Sequence, residues 1–114
     1  MEDSIFYKFA KGEMKPGNIR YEDDDLLAFD DIHPAAPVHI LIVPKKPIQS
    51  VADMVEEDAA IVGKMVYRAK LLAEELGIDH PGYRVSFNVR EGGGQLVPYL
   101  HLHLMGGPKP WRDI

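Results

Sequence analysis

Two histidines, His101 and His103, sit two apart in "QLVPYLHLHLMGG", an otherwise apolar run that ends on paired glycines. On a strand, alternation sends Leu100, Leu102 and Leu104 to one face and Tyr99, His101 and His103 to the other. The two imidazoles then stand roughly 6–7 Å apart, a spacing that lets one ligand be touched twice. A neutral imidazole keeps one free lone pair, so it can attack an electrophile, take a proton or bind a metal. Five histidines in 114 residues would produce roughly 0.2 such pairs by chance. The pair alone is weak, since a half-exposed strand face with solvated imidazoles explains it better.

Neighbouring residues sharpen the reading. "EGGGQ" lies just upstream, and its glycines let backbone N–H groups approach an anion closely. The loop lacks the Gly-Lys-Ser/Thr ending and the following helix of a P-loop. Asn88 is polar on an otherwise apolar stretch near that loop. His39 is embedded in "PVHILIVP", where an imidazole without a partner would be costly. It is either satisfied by backbone or placed on the same face as His101 and His103. His33, in "DDIHPAAP", is a turn residue or a pocket residue, and His80 is a turn residue with no assigned role. Lys45-Lys46 reads as a solvated strand end rather than a phosphate contact.

The elements that position these residues follow from periodicity. Ser50 with Asp53 resembles a capping box, and apolar residues then recur from Val51 to Leu76 at helical spacing. Gly77 supplies a left-handed stop. Strands are predicted from Leu26 to Ile32, Val38 to Val43, Tyr83 to Val89 and Leu100 to Met105. A short helix is predicted near residues 4–10, and "VREGGGQ" reads as the hairpin loop between the last two strands. The leucine face of the last strand packs under the long helix. The fold class is α+β: an antiparallel sheet of about five strands with one long and one short helix, in one domain over residues 1–114.

Composition bounds the function. The formal net charge of −5 speaks against holding nucleic acid by counterion release. There is no cysteine, which removes disulfides and thiolate metal sites and fits a reducing compartment. No signal peptide and no membrane span is read, so a soluble, cytoplasmic protein is expected.

"YLHLHLMGG" resembles the His-x-His-x-His motif of the histidine-triad (HIT) superfamily, and Gly106-Gly107 is similar to its Hint-like branch. The likeness covers most of the chain: "IFYKFAKGE", "YEDDDLLAFDDIHPAAPVHILIVPKKPI" and "GYRVSFN" with "GGQ" resemble successive signatures of that branch. The resemblance implies a sheet with two helices, and a homodimer that joins two sheets. It implies a purine nucleoside monophosphate pocket and transfer of a nucleotidyl group to histidine followed by hydrolysis, with phosphoramidates as substrates and no cofactor or metal. By position, His101 matches the nucleophile, His103 the last triad member and His39 an additional pocket histidine. Asn88, Gly94 and Gln95 match the phosphate side. Phe29, Asp31 and Ile32 match the nucleoside side, with Asp31 on the ribose, and Met14 falls where an apolar residue abuts the base.

Three positions depart from the pattern. Tyr99 replaces the first triad histidine; it keeps the backbone carbonyl but cannot become a cation near neutral pH. It is counted with the substrate-binding set. Leu96 stands where the branch has a serine. Ser4 and Tyr7 occupy the Cys-x-x-Cys positions of a zinc site found in some relatives, so that site is absent. Nothing is carried over to Trp111. The leading expectation is a nucleotidyl hydrolase acting through His101. A purine nucleotide binder without useful turnover is the alternative, and a site of three imidazoles on a metal is a third reading.

Overall fold

The computed structural model describes residues 1–113. Its central strand explains the most apolar stretch of the sequence. β1 (Ile19–Glu22), β2 (Leu26–Asp30), β3 (Val38–Pro44), β4 (Arg84–Ser86) and β5 (Leu102–Gly106) form one antiparallel sheet in the order β1-β2-β3-β5-β4. β3 lies in the middle and is covered on both faces, so it carries no solvent-facing alternation. Ile40 and Ile42 pack on one side with Leu100, Leu102 and Leu104, while Leu41 and Val43 pack on the other with Tyr99.

Each face has its own helix. α2 (Ala59–Glu75) lays Met65, Ala69, Leu72 and Ala73 on the leucine face of the sheet. α1 (Ile5–Ala10) covers part of the opposite face through Phe6 and Ala10, which pack with Leu27, Phe29 and Tyr99. The α+β expectation holds, with five strands, one long helix and one short one. Ser4 caps α1 by accepting the Tyr7 N–H at 3.1 Å.

α2 ends as the sequence indicates. Gly77 is left-handed (φ 71), its N–H donates to Glu74 O, and Ile78 N–H donates to Ala73 O at 3.0 Å. Ile78 then turns onto β5. A Cβ on Gly106 would stand 2.4 Å from Ile78 Cδ1, so the first glycine of the pair exists to admit that side chain. Gly107 is left-handed (φ 100) and lies against Pro37. The paired glycines are therefore explained by packing rather than by chemistry.

The start of the long helix differs from the sequence reading. From Ser50 the chain makes two single 3-10 turns, Val51–Asp53 and Glu56–Asp58, before α2 begins at Ala59. Ser50 Oγ accepts the Ala52 N–H at 3.1 Å and donates to Asp53, and Asp58 accepts the Val55 N–H at 3.0 Å. Side chains that bond nearby backbone compete with helix propagation, so each closes its own turn.

The strand predicted over Tyr83–Val89 pairs only across Arg84–Ser86, and β5 starts at Leu102. Asn88 Nδ2 donates to Gly93 O at 2.8 Å and Gly93 N–H to Val89 O at 3.1 Å, which pulls the chain out of the ladder. The glycine segment is consequently a 3-10 turn, Glu91–Gly93, within a long connection over residues 87–101, not a tight hairpin. β1 has no counterpart among the predicted strands; it is a short, mostly exposed edge with a bulge, and leaves little periodic signal.

Candidate active site

The sheet face opposite α2 carries the histidines because the register puts them there. Leu41 pairs with His103 and His39 with Met105, so His39 and His103 lie diagonally across β3 and β5 on one face. His101 stands just before β5, and its ring meets that of His103 edge-on with centroids 4.9 Å apart. All three imidazoles are buried, at 4 to 8 % exposure, so each must be paired or neutral.

The hydrogen bonds fix their tautomers. His101 Nδ1 lies 2.6 Å from Tyr99 O, and a carbonyl only accepts, so Nδ1 carries the hydrogen and Nε2 keeps its lone pair. Ala35 N–H donates to His39 Nδ1 at 3.0 Å, which forces the hydrogen of His39 onto Nε2. That Nε2 lies 3.0 Å from His103 Nδ1, which must then accept, leaving His103 with its hydrogen on Nε2. Adjacent rings therefore hold opposite tautomers: His101 offers a lone pair and His103 offers an N–H.

Burial lowers the pKa of all three, and for His103 the neighbouring His101 and His39 add to it and bring it to about 4. Asp31 pulls the other way on each, and its Oδ2 lies 3.5 Å from His39 Nε2. The rings are neutral at pH 7. Asp31, His39 and His103 bring three potential ligand atoms within 4.8 Å of one another. A cation on His39 Nε2 would need the hydrogen on Nδ1, where it would oppose the Ala35 N–H. The trio suits a shared proton better than a metal ion.

A cavity of about 650 Å³ opens over these rings. His39, His101 and His103 line it, with Asn88 and Gly94 on the glycine-loop side and Phe29, Asp31 and Ile32 on another wall. Those eight residues were singled out from the sequence, and His33, left open there, lines the cavity as well. Gly94 is left-handed (φ 81), and its missing Cβ leaves room beside the Asn88 amide.

Three selected residues lie elsewhere. Gln95 points away, donating to Gln49 O and Val97 O and accepting the Arg90 N–H, so it ties the glycine loop down. Tyr99 is fully buried behind the site, where its hydroxyl donates to Pro44 O at 2.5 Å, and burial raises its pKa. Met14 is half exposed and does not line the cavity. Sequence reasoning missed Phe6, whose ring edge meets His101 at 5.0 Å, and Arg112 on the rim. It also missed the Ala35 N–H, a backbone group that leaves no mark in residue type. Leu96, 92 % exposed, lines the rim without covering anything.

A five-stranded antiparallel sheet with a histidine-bearing strand and a capping short helix defines a class, and the chain belongs to it: residues 13–109 match the HIT domain family. Among its relatives, the purine nucleoside phosphoramidase of Escherichia coli (strain K12) is 43% identical over 106 residues, covering 93% of this chain and 88% of that one. The crystal structure of a HIT family hydrolase from Legionella pneumophila Philadelphia 1 superposes with TM-score 0.89 at 45% identity, covering 94% and 95% of the two chains. A histidine triad protein from Clostridium difficile gives TM-score 0.90 at 41% identity, covering 100% and 98%. Among the described residues, no helix is long and apolar enough to cross a membrane.

Proposed function

We propose that this chain is a nucleotide hydrolase that cleaves purine nucleoside phosphoramidates through a nucleotidyl intermediate on His101. One observation carries the reading: the 2.6 Å bond from His101 Nδ1 to Tyr99 O, which aims a neutral lone pair at the cavity. Attack of Nε2 on phosphorus forms a P–N bond and breaks the bond to the leaving amine, which departs with the electron pair and a solvent proton. Water then attacks the same phosphorus, the pair returns to Nε2, and the nucleoside monophosphate leaves as the water gives up a proton. The His103 Nε2–H, with the Asn88 amide beside it, balances charge on the phosphoryl oxygens, while the N–H groups of Gly93, Gly94 and Gln95 are spent on carbonyls within the loop. Phe29 and Ile32 take the base, and Asp31 accepts from the ribose hydroxyls. The phosphoramidase relative supports the substrate class. A sheet-joining homodimer and a cytoplasmic location belong to the same reading.

The test is incubation with adenosine 5′-phosphoramidate while AMP release and intact protein mass are followed. Release that disappears in His101→Ala, with a transient adenylyl mass on the starting protein, supports the proposal. The second reading, a nucleotide binder without turnover, is favoured by Leu96, which brings no hydrogen-bonding group to the rim. Binding of AMP with neither release nor adduct would establish that reading instead.

A further inference from the structure

The C-terminal residues Trp111 and Arg112 have no part in the chemistry above, yet they grip the turn that fixes the histidine tautomers. Arg112 N–H donates to Ala35 O at 2.8 Å, and Arg112 Nη2 donates to His33 O at 2.6 Å. Trp111 packs its ring against Ala35, Ala36 and Met105 and anchors itself by Nε1–H to Gly107 O at 3.0 Å. The turn between His33 and Pro37 is thus held from outside at two carbonyls and one apolar surface. From its inner side it sends a single N–H, that of Ala35, to His39 Nδ1.

We infer that Trp111 and Arg112 are positioning residues: they hold the peptide of Ala35 so that His39 keeps its hydrogen on Nε2 and His103 presents its own to the cavity. The physical basis is a chain of four hydrogen bonds. Arg112 N–H meets Ala35 O, Arg112 Nη2–H meets His33 O, Ala35 N–H meets His39 Nδ1, and His39 Nε2–H meets His103 Nδ1. Every donor in it is fixed by chemistry except the two ring tautomers. Of the contacts on His39 only the Ala35 N–H at 3.0 Å requires Nδ1 to be free of hydrogen, with the Asp31 carboxylate 3.5 Å from Nε2 as a weaker second influence. The bonds to Arg112 lie at the solvent edge, and the rings lie in the buried interior. If the turn rotates, His39 loses the hydrogen bond that keeps its Nδ1 free of hydrogen, and only the longer Asp31 contact still favours Nε2–H. Its hydrogen is then free to move to Nδ1, and His103 Nδ1 no longer has a donor facing it. The sequence offers no hint of this, because Ala35 acts through its backbone and the C-terminal segment has neither periodicity nor a charge run.

The consequence can be read without substrate. In protein labelled with nitrogen-15 at histidine, ring nitrogen shifts and couplings report which nitrogen of His39 carries the hydrogen. The comparison is between the full chain, a chain ending at Pro110, Arg112→Ala and the conservative Arg112→Lys. The full chain is expected to show His39 in the Nε2–H form alone. The shortened chain should show a mixture, with Arg112→Ala between the two and Arg112→Lys restored toward the full chain. The kinetic arm rests on the proposed phosphoramidase reading: kcat should fall about tenfold in the shortened chain with little change in KM. A single unchanged His39 tautomer in both the shortened chain and Arg112→Ala would overturn the inference. A tautomer shift in protein that never releases AMP supports it still, and counts against the proposed reaction instead.

Discussion

Tyr99 serves His101 with its backbone and the core with its side chain. Its carbonyl accepts the His101 Nδ1–H at 2.6 Å, while its hydroxyl, fully buried, donates to Pro44 O on the far side of the residue. Whatever its side chain, residue 99 therefore keeps the carbonyl that fixes the tautomer of His101.

Tyr99→Phe separates these two duties. The carbonyl stays, so AMP release is expected to change by less than about threefold. The Pro44 carbonyl loses its partner in a buried setting, and stability is expected to fall by about 1–2 kcal/mol. Urea denaturation followed beside turnover checks both; a large loss of rate with native stability would refute this division of labour.

Acid sensitivity should begin earlier than carboxylate chemistry alone would allow. His39, His101 and His103 have lowered pKa values in the fold, so each binds a proton more readily when unfolded. Their sign is that of a depressed group: stability is complete above the ordinary value of 6.5 and is lost as pH falls toward the His103 value of about 4. Thermal midpoints measured from pH 7.5 down to 4 should decline across that window, and His103→Asn should flatten the decline.

The same neutrality shapes the rate. In the proposed reaction His101 attacks only when unprotonated, and burial lowers its pKa, so kcat/KM should stay flat through pH 7 and fall only below 6.5. A profile that rises with pH well above 7 would contradict a resting neutral imidazole.

Leu96 is the substitution with least to lose. It is 92 % exposed, so Leu96→Ser should alter stability by no more than about 0.5 kcal/mol. One added hydroxyl on the rim should raise kcat/KM by roughly fivefold, the worth of a single hydrogen bond. Steady-state kinetics with adenosine 5′-phosphoramidate reads this directly.

Gly106→Ala tests the packing account of the paired glycines. The new methyl would stand 2.4 Å from Ile78 Cδ1 and 3.1 Å from its Cβ, so a loss of about 1–3 kcal/mol is expected. Ile78→Val removes the nearest of those atoms, and the double variant should regain part of the loss.

Much of this was legible in the sequence. The leucine and histidine faces of the last strand fall on opposite sides of the sheet, because period-two alternation is rigid once one face is buried. Asn88 and Gly94 were found through the glycine loop, although the loop itself is a folded turn rather than a tight hairpin. Gln95 and Met14 carry suitable residue types, but side-chain direction in irregular segments has no period to read, and both turn away from the cavity. Ser50 and Asp53 signalled a helix start and made a single 3-10 turn, because a second capping residue, Asp58, lies a few positions on. The Ala35 contact was invisible in principle, since any residue but proline could supply it.

Ile78 also governs strand alignment. Its side chain seats over Gly106, which is flanked by the buried Met105 within β5 and by Gly107, pressed on Pro37, just after the strand. A slip of β5 that brought Met105 to the place of Gly106 would drive a side chain into Ile78, and a one-residue slip of either sense would invert every residue of the strand between its two faces. The imidazoles would turn toward α2 and the leucines toward the cavity. The end of a helix, on the sheet face away from the cavity, thus works as a key that opposes one direction of slip of the histidine strand.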